Sequence, residues 1–201
     1  MNEFDVKDVS RETLQKLEAF AELVRKWNPK INLVSKSSLD DLWDRHILDS
    51  VQVFRLVEQG GNWVDIGSGG GFPGIVIAIL NQKEQKFRVR LVESDQRKCA
   101  FLRTAIRELG LTATVDNERI ENAQNLEADI LSARALSDLS QLLAYAEMHL
   151  KPGGVAIFPK GQNWQQEVEE TQHLWSYQFE AVTSKTNSAA AVLMIKDITR
   201  A

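Results

Sequence analysis

The sequence predicts an α/β fold: a mostly parallel, doubly wound sheet of seven strands with an antiparallel edge, preceded by a helical cap. Three observations predict it. From residue 62 onward, short apolar runs alternate with segments of helical periodicity. A glycine-rich turn spans 67–74, between a run that ends in an acid and a new apolar segment. Near the end, two strand-like runs at 177–185 and 190–197 are separated by Asn187-Ser188, which suits an antiparallel pair.

Each element has its own signal. Residues 10–27 place Leu14, Leu17, Phe20, Leu23, Val24 and Trp27 at spacings of three and four behind a Ser10 cap. Asn28-Pro29 is expected to end that helix. A second helix is expected over 38–58, with Leu39, Leu42, Trp43, His46, Ile47 and Val51 on one side, and Gly60-Gly61 then breaks the chain. Strands follow at 62–66, 87–93, 112–116, 129–133 and 155–159, the last entered through a Lys151-Pro152-Gly153-Gly154 turn. Helices are expected at 73–81, at 138–149, at 163–174 and from Ser94-Asp95 to Leu109, where Gly110 closes the turn. The division this implies is a helical extension over 1–60 and one compact domain over 61–201.

Composition narrows the class. The chain has 201 residues, 43% hydrophobic and 26% charged, which is ordinary for a globular protein with a sizeable core. A formal net charge of −4 makes the whole molecule no evident nucleic-acid binder. No apolar run approaches the roughly 20 residues of a membrane span, and 1–10 carry no apolar signal core. A single cysteine, Cys99, forms no internal disulfide and no multi-cysteine metal site, which suits the cytoplasm. No metal is expected, and nothing demands more than a monomer.

The turn carries the chemistry. It reads Asp65-Ile66-Gly67-Ser68-Gly69-Gly70-Gly71-Phe72-Pro73-Gly74. Phe72 stands where a dinucleotide fingerprint needs its third glycine, and no lysine completes a phosphate loop. What remains, Asp-x-Gly-x-Gly-x-Gly, resembles the first motif of the Rossmann-like, class I S-adenosylmethionine methyltransferases. Asp65 then either caps the loop as a turn carboxylate or orders it beneath the methionine part of the cofactor; the two readings are compatible. Glu93 ends the second strand, where an acceptor-only carboxylate can take both ribose hydroxyls or simply lie at the surface.

Other positions keep two readings. Arg119-Ile120-Glu121 is either a solvated helix start or the adenine wall. Arg134, at the end of a buried strand, needs an ion-pair partner, the cofactor end or an RNA phosphate. Arg45, His46 and Asp49 share a helix face and suit a brace between the cap and the loop better than a metal site. Over 86–107, seven cations stand against Glu93 and Asp95, a local excess of five. Arg97, Lys98 and Arg103 there, with Lys160 on the same sheet edge, form either a solvated face or an RNA-backbone track.

The pieces Trp27-Asn28, Ile31-Asn32-Leu33, Arg45-His46-Ile47-Leu48-Asp49-Ser50, 65–74, Arg97-Lys98-x-x-Phe101-Leu102, Ala133-Arg134-Ala135 and Lys160-Gly161 occur in this order. Together they closely resemble the glucose-inhibited division protein B family, the bacterial small-subunit ribosomal RNA methyltransferases G, over roughly 10–197. The resemblance implies methylation of guanine N7 in 16S ribosomal RNA, free or in the small subunit, with S-adenosylmethionine as donor. It implies cofactor contacts by Gly67, Phe72, Ile120, Glu121 and Arg134 alongside Asp65, Gly69, Gly71 and Glu93. The family often has aspartate at the Glu93 position, and some members carry a basic C-terminal tail, which is expected to be missing here after Ala201.

The residues agree with that chemistry. Guanine N7 has a free lone pair, so no base is needed; Ser132-Ala133-Arg134-Ala135 lacks the Asn/Asp-Pro-Pro-aromatic segment of amine methylases, and Cys99 is misplaced for attack on a pyrimidine. Arg134 is therefore expected to position rather than to move a proton. The alternatives are a methyltransferase for another RNA, a small molecule or a protein, a non-catalytic cofactor-binding regulator, and a nicotinamide oxidoreductase, the last disfavoured by Phe72.

Overall fold

A computed structural model describes residues 9–201. The first helix, α1 (Arg11–Ile31), begins where the Ser10 hydroxyl accepts the Thr13 N–H at 3.1 Å. It does not stop at Asn28-Pro29 as expected. Pro29 lies inside the last turn, and the helix ends at Asn32 in a left-handed conformation with φ 47°. Burial of Asn28 and Ile31, and the 2.8 Å bond from the Val34 N–H to the Asn28 side chain, outweigh the one backbone bond proline removes.

The helix expected over 38–58 is three pieces: α2 (Lys36–Leu39), a π-helix (Trp43–Leu48) and α3 (Asp49–Arg55). The wider π turn shifts the register, so that every residue from Ile47 to Val53 is buried. Periodicity of 3.6 had no means of showing that insertion.

The sheet comprises β1 (Gly61–Ile66), β2 (Phe87–Glu93), β3 (Ala113–Asn117), β4 (Ala128–Ala133), β5 (Leu150–Lys160), β6 (Trp175–Thr183) and β7 (Ala191–Arg200). Its order is β3-β2-β1-β4-β5-β7-β6, and β7 runs antiparallel to both β5 and β6. The Lys151–Gly154 stretch, expected as a turn, instead belongs to β5, with a register shift opposite Ala128/Ile130 absorbing it. The closing strands sit slightly apart from their expected ranges, leaving 184–190 as their connection.

Helices cover both faces: α4 (Gly74–Leu80) and α5 (Gln96–Glu108) on one, α6 (Leu139–His149) and α7 (Trp164–Thr171) on the other. Alternation along β1 divides the core. Trp63 joins Phe20, Val24, Val51, Ile75 and Phe101 on the first face; Val64 and Ile66 join Leu131, Leu142, Phe158 and Leu193 on the second. α1 thus packs into the same apolar cluster as α4 and α5. Among the described residues no helix is long and apolar enough to cross a membrane, and no three His, Cys, Asp or Glu side chains gather as a metal site.

Candidate active site

The site lies where parallel strands end, the side of an open α/β sheet on which ligands bind. Beyond β1, Gly67 (φ 62°), Gly69 (φ 51°) and Gly71 (φ 88°) all take left-handed backbone, which explains glycine at each. A 2.7 Å bond from the Gly71 N–H to the Ser68 carbonyl closes the turn. A Cβ on Gly69 would meet nothing nearer than the Gly67 carbonyl at 3.6 Å, so this backbone is open to a ligand.

Glu93 stands across from it at the end of β2. Its two carboxylate oxygens accept the Gly69 and Asp95 N–H groups, each at 2.8 Å, which fixes the carboxylate at the cleft and leaves a lone pair on each oxygen. The third wall is a 3-10 turn (Ile120–Asn122), where the Tyr145 hydroxyl donates to Glu121 at 2.6 Å. Burial and that bond push the Tyr145 phenol up to about 12, so it stays a donor. Gly67, Gly69, Glu93, Ile120, Glu121, Tyr145 and Leu136 line one cavity of about 320 Å³.

Asp65 is below this cavity, not in it. The residue is fully buried; Ser132 Oγ donates to Oδ1 at 2.7 Å, while Oδ2 has no partner. Burial pushes its carboxyl from 3.8 up to about 6, against the pull of the Ser132 hydrogen bond. Phe72 also lies beneath the loop. Its ring packs 5.2 Å from Phe20 and 4.9 Å from His46, and neither it nor Gly71 lines the cavity. A Cβ on Gly71 would fall 2.7 Å from Ile75 and 3.0 Å from Phe20, so this glycine allows close packing of α4 and α1.

A second cavity of about 590 Å³ adjoins the first, and Ala135 lines both. Arg45, Asp49, Arg134 and Lys160 line it. Arg134 donates to the Arg45 carbonyl at 2.5 Å and pairs with Asp49 at 3.5 Å. Asp49 Oδ1 accepts in turn from Ser184 at 2.9 Å and Thr186 at 3.1 Å. One carboxylate therefore ties the π-helix region to the end of β4 and to the β6–β7 connection. His46 completes the brace as a packed, neutral ring: both nitrogens lack partners, and burial, with Arg134 and Arg45 beside it, lowers it to about 3.

The candidate RNA cations are less free than the sequence implies. Arg97 pairs with Asp95 at 3.1 Å and Arg103 donates to the Val115 carbonyl at 3.1 Å, both from the exposed side of α5. Lys98 lines the smaller cavity. Lys160, only 9% exposed, is in ion contact with Glu167 at 2.5 Å. Sequence reading missed Tyr145, Leu136, Ser184, Thr186 and Glu167. Tyr145 and Leu136 show only helical or loop apolarity in sequence; Ser184 and Thr186 lie more than 130 residues from Asp49, and Glu167 lies 28 residues from the Leu139 N–H that it also holds.

A glycine cradle, a strand-end carboxylate and a facing wall of Ile120 and Glu121 on a 3-2-1-4-5-7-6 sheet define a class I S-adenosylmethionine-dependent methyltransferase. The residues fit that cofactor: Gly69 is open to it and Glu93 retains acceptor capacity. Solved structures share the fold at low identity. They include a glutamate-to-glutamine mutant of MtNAS in complex with S-adenosylmethionine (TM-score 0.60, 15% identity, 92% of this chain and 75% of that one). Another is precorrin-6y C5,15-methyltransferase from Geobacter metallireducens (TM-score 0.52, 14% identity, 83% and 91%).

The family model described as rRNA small subunit methyltransferase G matches residues 13–194, and the chain belongs to that family. Relatives bearing the name Ribosomal RNA small subunit methyltransferase G include one from Ruegeria sp. (strain TM1040), 55% identical over 96% of this chain and 95% of its own length. Those from Ruegeria pomeroyi and Rhodospirillum centenum are 56% and 49% identical, over 96% and 94% of this chain and 95% and 87% of their own lengths.

Proposed function

We propose that this chain transfers a methyl group from S-adenosylmethionine to N7 of a guanine in 16S ribosomal RNA. The observation that carries it is the pair of cavities meeting at Ala135, one bounded by Gly67, Gly69 and Glu93 and the other by Arg45, Asp49 and Arg134. His46 is neutral with both ring nitrogens enclosed, and Asp49 is engaged by Arg134, Ser184 and Thr186. Guanine N7 suits such a junction because its lone pair is available at neutral pH, so orientation is the main demand.

When bound, the cofactor supplies an electrophilic methyl group on a positively charged sulfur. The chain's own residues hold it. Glu93 accepts from the ribose hydroxyls, the backbone at Gly67 and Gly69 lies against the methionine end, and Ile120 with Glu121 bounds the base. Asp65, Gly71 and Phe72 act from below by fixing the loop. Arg134, held by Asp49 and the Arg45 carbonyl, positions the reactants where the cavities join, and His46 packs that brace against Phe72. Arg97, Lys98 and Arg103 give the RNA backbone a basic face on an otherwise acidic molecule. The helical segment before residue 61 and the sheet domain after it work as one unit, which we read as a monomer.

The test is transfer of tritiated methyl to unmodified 16S RNA, free and in small-subunit particles, with nuclease digestion to nucleosides. Label in 7-methylguanine is the expected result. Label in another base, or none while the cofactor still binds, overturns the assignment.

A further inference from the structure

Among the described residues, 134–136 form the only stretch that borders both cavities: Arg134 lines one, Leu136 the other and Ala135 each, and the Leu136 side chain lies against Gly67, within 2.6 Å of where a Cβ there would be. Ala135 holds φ 51°, a backbone state that a non-glycine residue keeps only where its surroundings over-determine it. Arg134, tied to Asp49 and the Arg45 carbonyl, anchors one end.

The other end is anchored by Lys160 and Glu167. Glu167 Oε2 receives the Lys160 ammonium at 2.5 Å and the Leu139 N–H, the first of α6, at 2.9 Å. Lys160 also donates to the Ser137 carbonyl at 3.4 Å. The two side chains therefore grip the backbone on both sides of Asp138, whose own carboxylate caps α6 through the Gln141 N–H at 2.9 Å. Lys160 reaches them from the last residue of β5 and Glu167 from α7, so two rigid elements hold one short wall.

We infer that Lys160 and Glu167 are a positioning pair that sets the 134–138 wall between cofactor and acceptor, rather than Lys160 being an RNA-phosphate contact. This rests on the methyltransferase reading above. The two roles make opposite predictions. A lysine neutralised by a carboxylate at 2.5 Å adds little net charge for a phosphate. If it nonetheless contacts RNA, removing Glu167 strengthens RNA binding; if the pair positions the wall, removing either partner weakens the same property.

The experiment uses the full chain with Lys160→Met, Glu167→Gln and the double variant. It measures affinity for S-adenosylhomocysteine by calorimetry, kcat and KM for methyl transfer to 16S RNA, and the salt dependence of RNA binding. Positioning predicts that each single variant lowers S-adenosylhomocysteine affinity about 3- to 10-fold and kcat about 10-fold, that KM for RNA stays put, and that the double variant is no worse than the singles. The log–log salt slope stays at its wild-type value, and Lys160→Arg restores kcat. The inference is overturned if Lys160→Met reduces that slope by about one unit with cofactor affinity intact, or if Glu167→Gln tightens RNA binding. Should Lys160→Met fail to fold, Glu167→Gln alone decides between these opposite signs. If the wild-type chain binds S-adenosylhomocysteine yet methylates no RNA, the functional proposal falls and the affinity arm still judges the pair.

Discussion

Glu93 meets the site through two charge-assisted bonds to backbone N–H groups, so it orders the cleft before any ligand arrives. Glu93→Gln keeps the shape and removes the negative charge and one acceptor. Affinity for S-adenosylhomocysteine is expected to fall about 10- to 100-fold by calorimetry, in line with the ~1.5–3 kcal/mol of a hydrogen bond to a charged group. Arg134→Ala is expected to abolish methyl transfer while leaving cofactor affinity within a few-fold, because its partners lie on the acceptor side; normal turnover would refute the role. Two buried groups give opposing pH signatures. Asp65 is raised to about 6 in the fold, so its contribution is greatest below about pH 4 and is lost as pH rises through 6. His46 is lowered to about 3, so the unfolded chain takes up a proton that the fold excludes, and stability falls as pH drops below 6.5. Thermal unfolding between about pH 4 and pH 8 should show Asp65→Asn gaining on the wild type as pH rises and His46→Gln gaining as pH falls; parallel curves would contradict both.

The elements differ in how far their sequences announce them. α5 was readable to within a residue or two, because Asp95 caps it, Gly110 at φ 60° closes it and Cys99, Phe101, Leu102 and Ala105 keep a helical stripe inward. α6 was equally plain, with Asp138 at its start. Asp138→Ala removes that cap, which is worth about 1 kcal/mol, and for a chain of this size should lower the thermal midpoint by roughly 2–4 °C. The π-helix was not readable. Its inserted register goes with the burial of Ile47 and Leu48 and with Asp49, whose partners Ser184 and Thr186 come from a loop more than 130 residues away. Pro29 was misread for a related reason: the local preference against helix before proline is smaller than the packing of Ile31 and the Asn28 bond to Val34.

At the scale of the molecule, the helical cap and the sheet share one core, and that core reaches the site. Phe20 of α1 is fully buried, packs against Phe72 and Phe101, and would lie 3.0 Å from a Cβ on Gly71. Phe20→Ala should cost about 3–5 kcal/mol, keep a single unfolding transition and weaken S-adenosylhomocysteine binding, although the residue lies outside the cleft. A biphasic melt would show instead that the cap unfolds by itself. The sequence by itself determined the layer order, the parallel sheet with its antiparallel strand, the glycine cradle and its two strand-end acids. These follow from period-2 and period-3.6 patterning and from backbone states that only glycine accepts readily, all of them local. Only the tertiary structure decided which side chains line the cleft and which support it from beneath. It put Phe72 and Asp65 beneath the loop, brought Tyr145 and Leu136 into the cleft, paired Arg134 with Asp49, and committed Lys160 to Glu167. Most of those choices depend on contacts between residues far apart in the chain, and the Lys160–Glu167 pair on how β5 and α7 pack; in each, burial and charge pairing override any local preference.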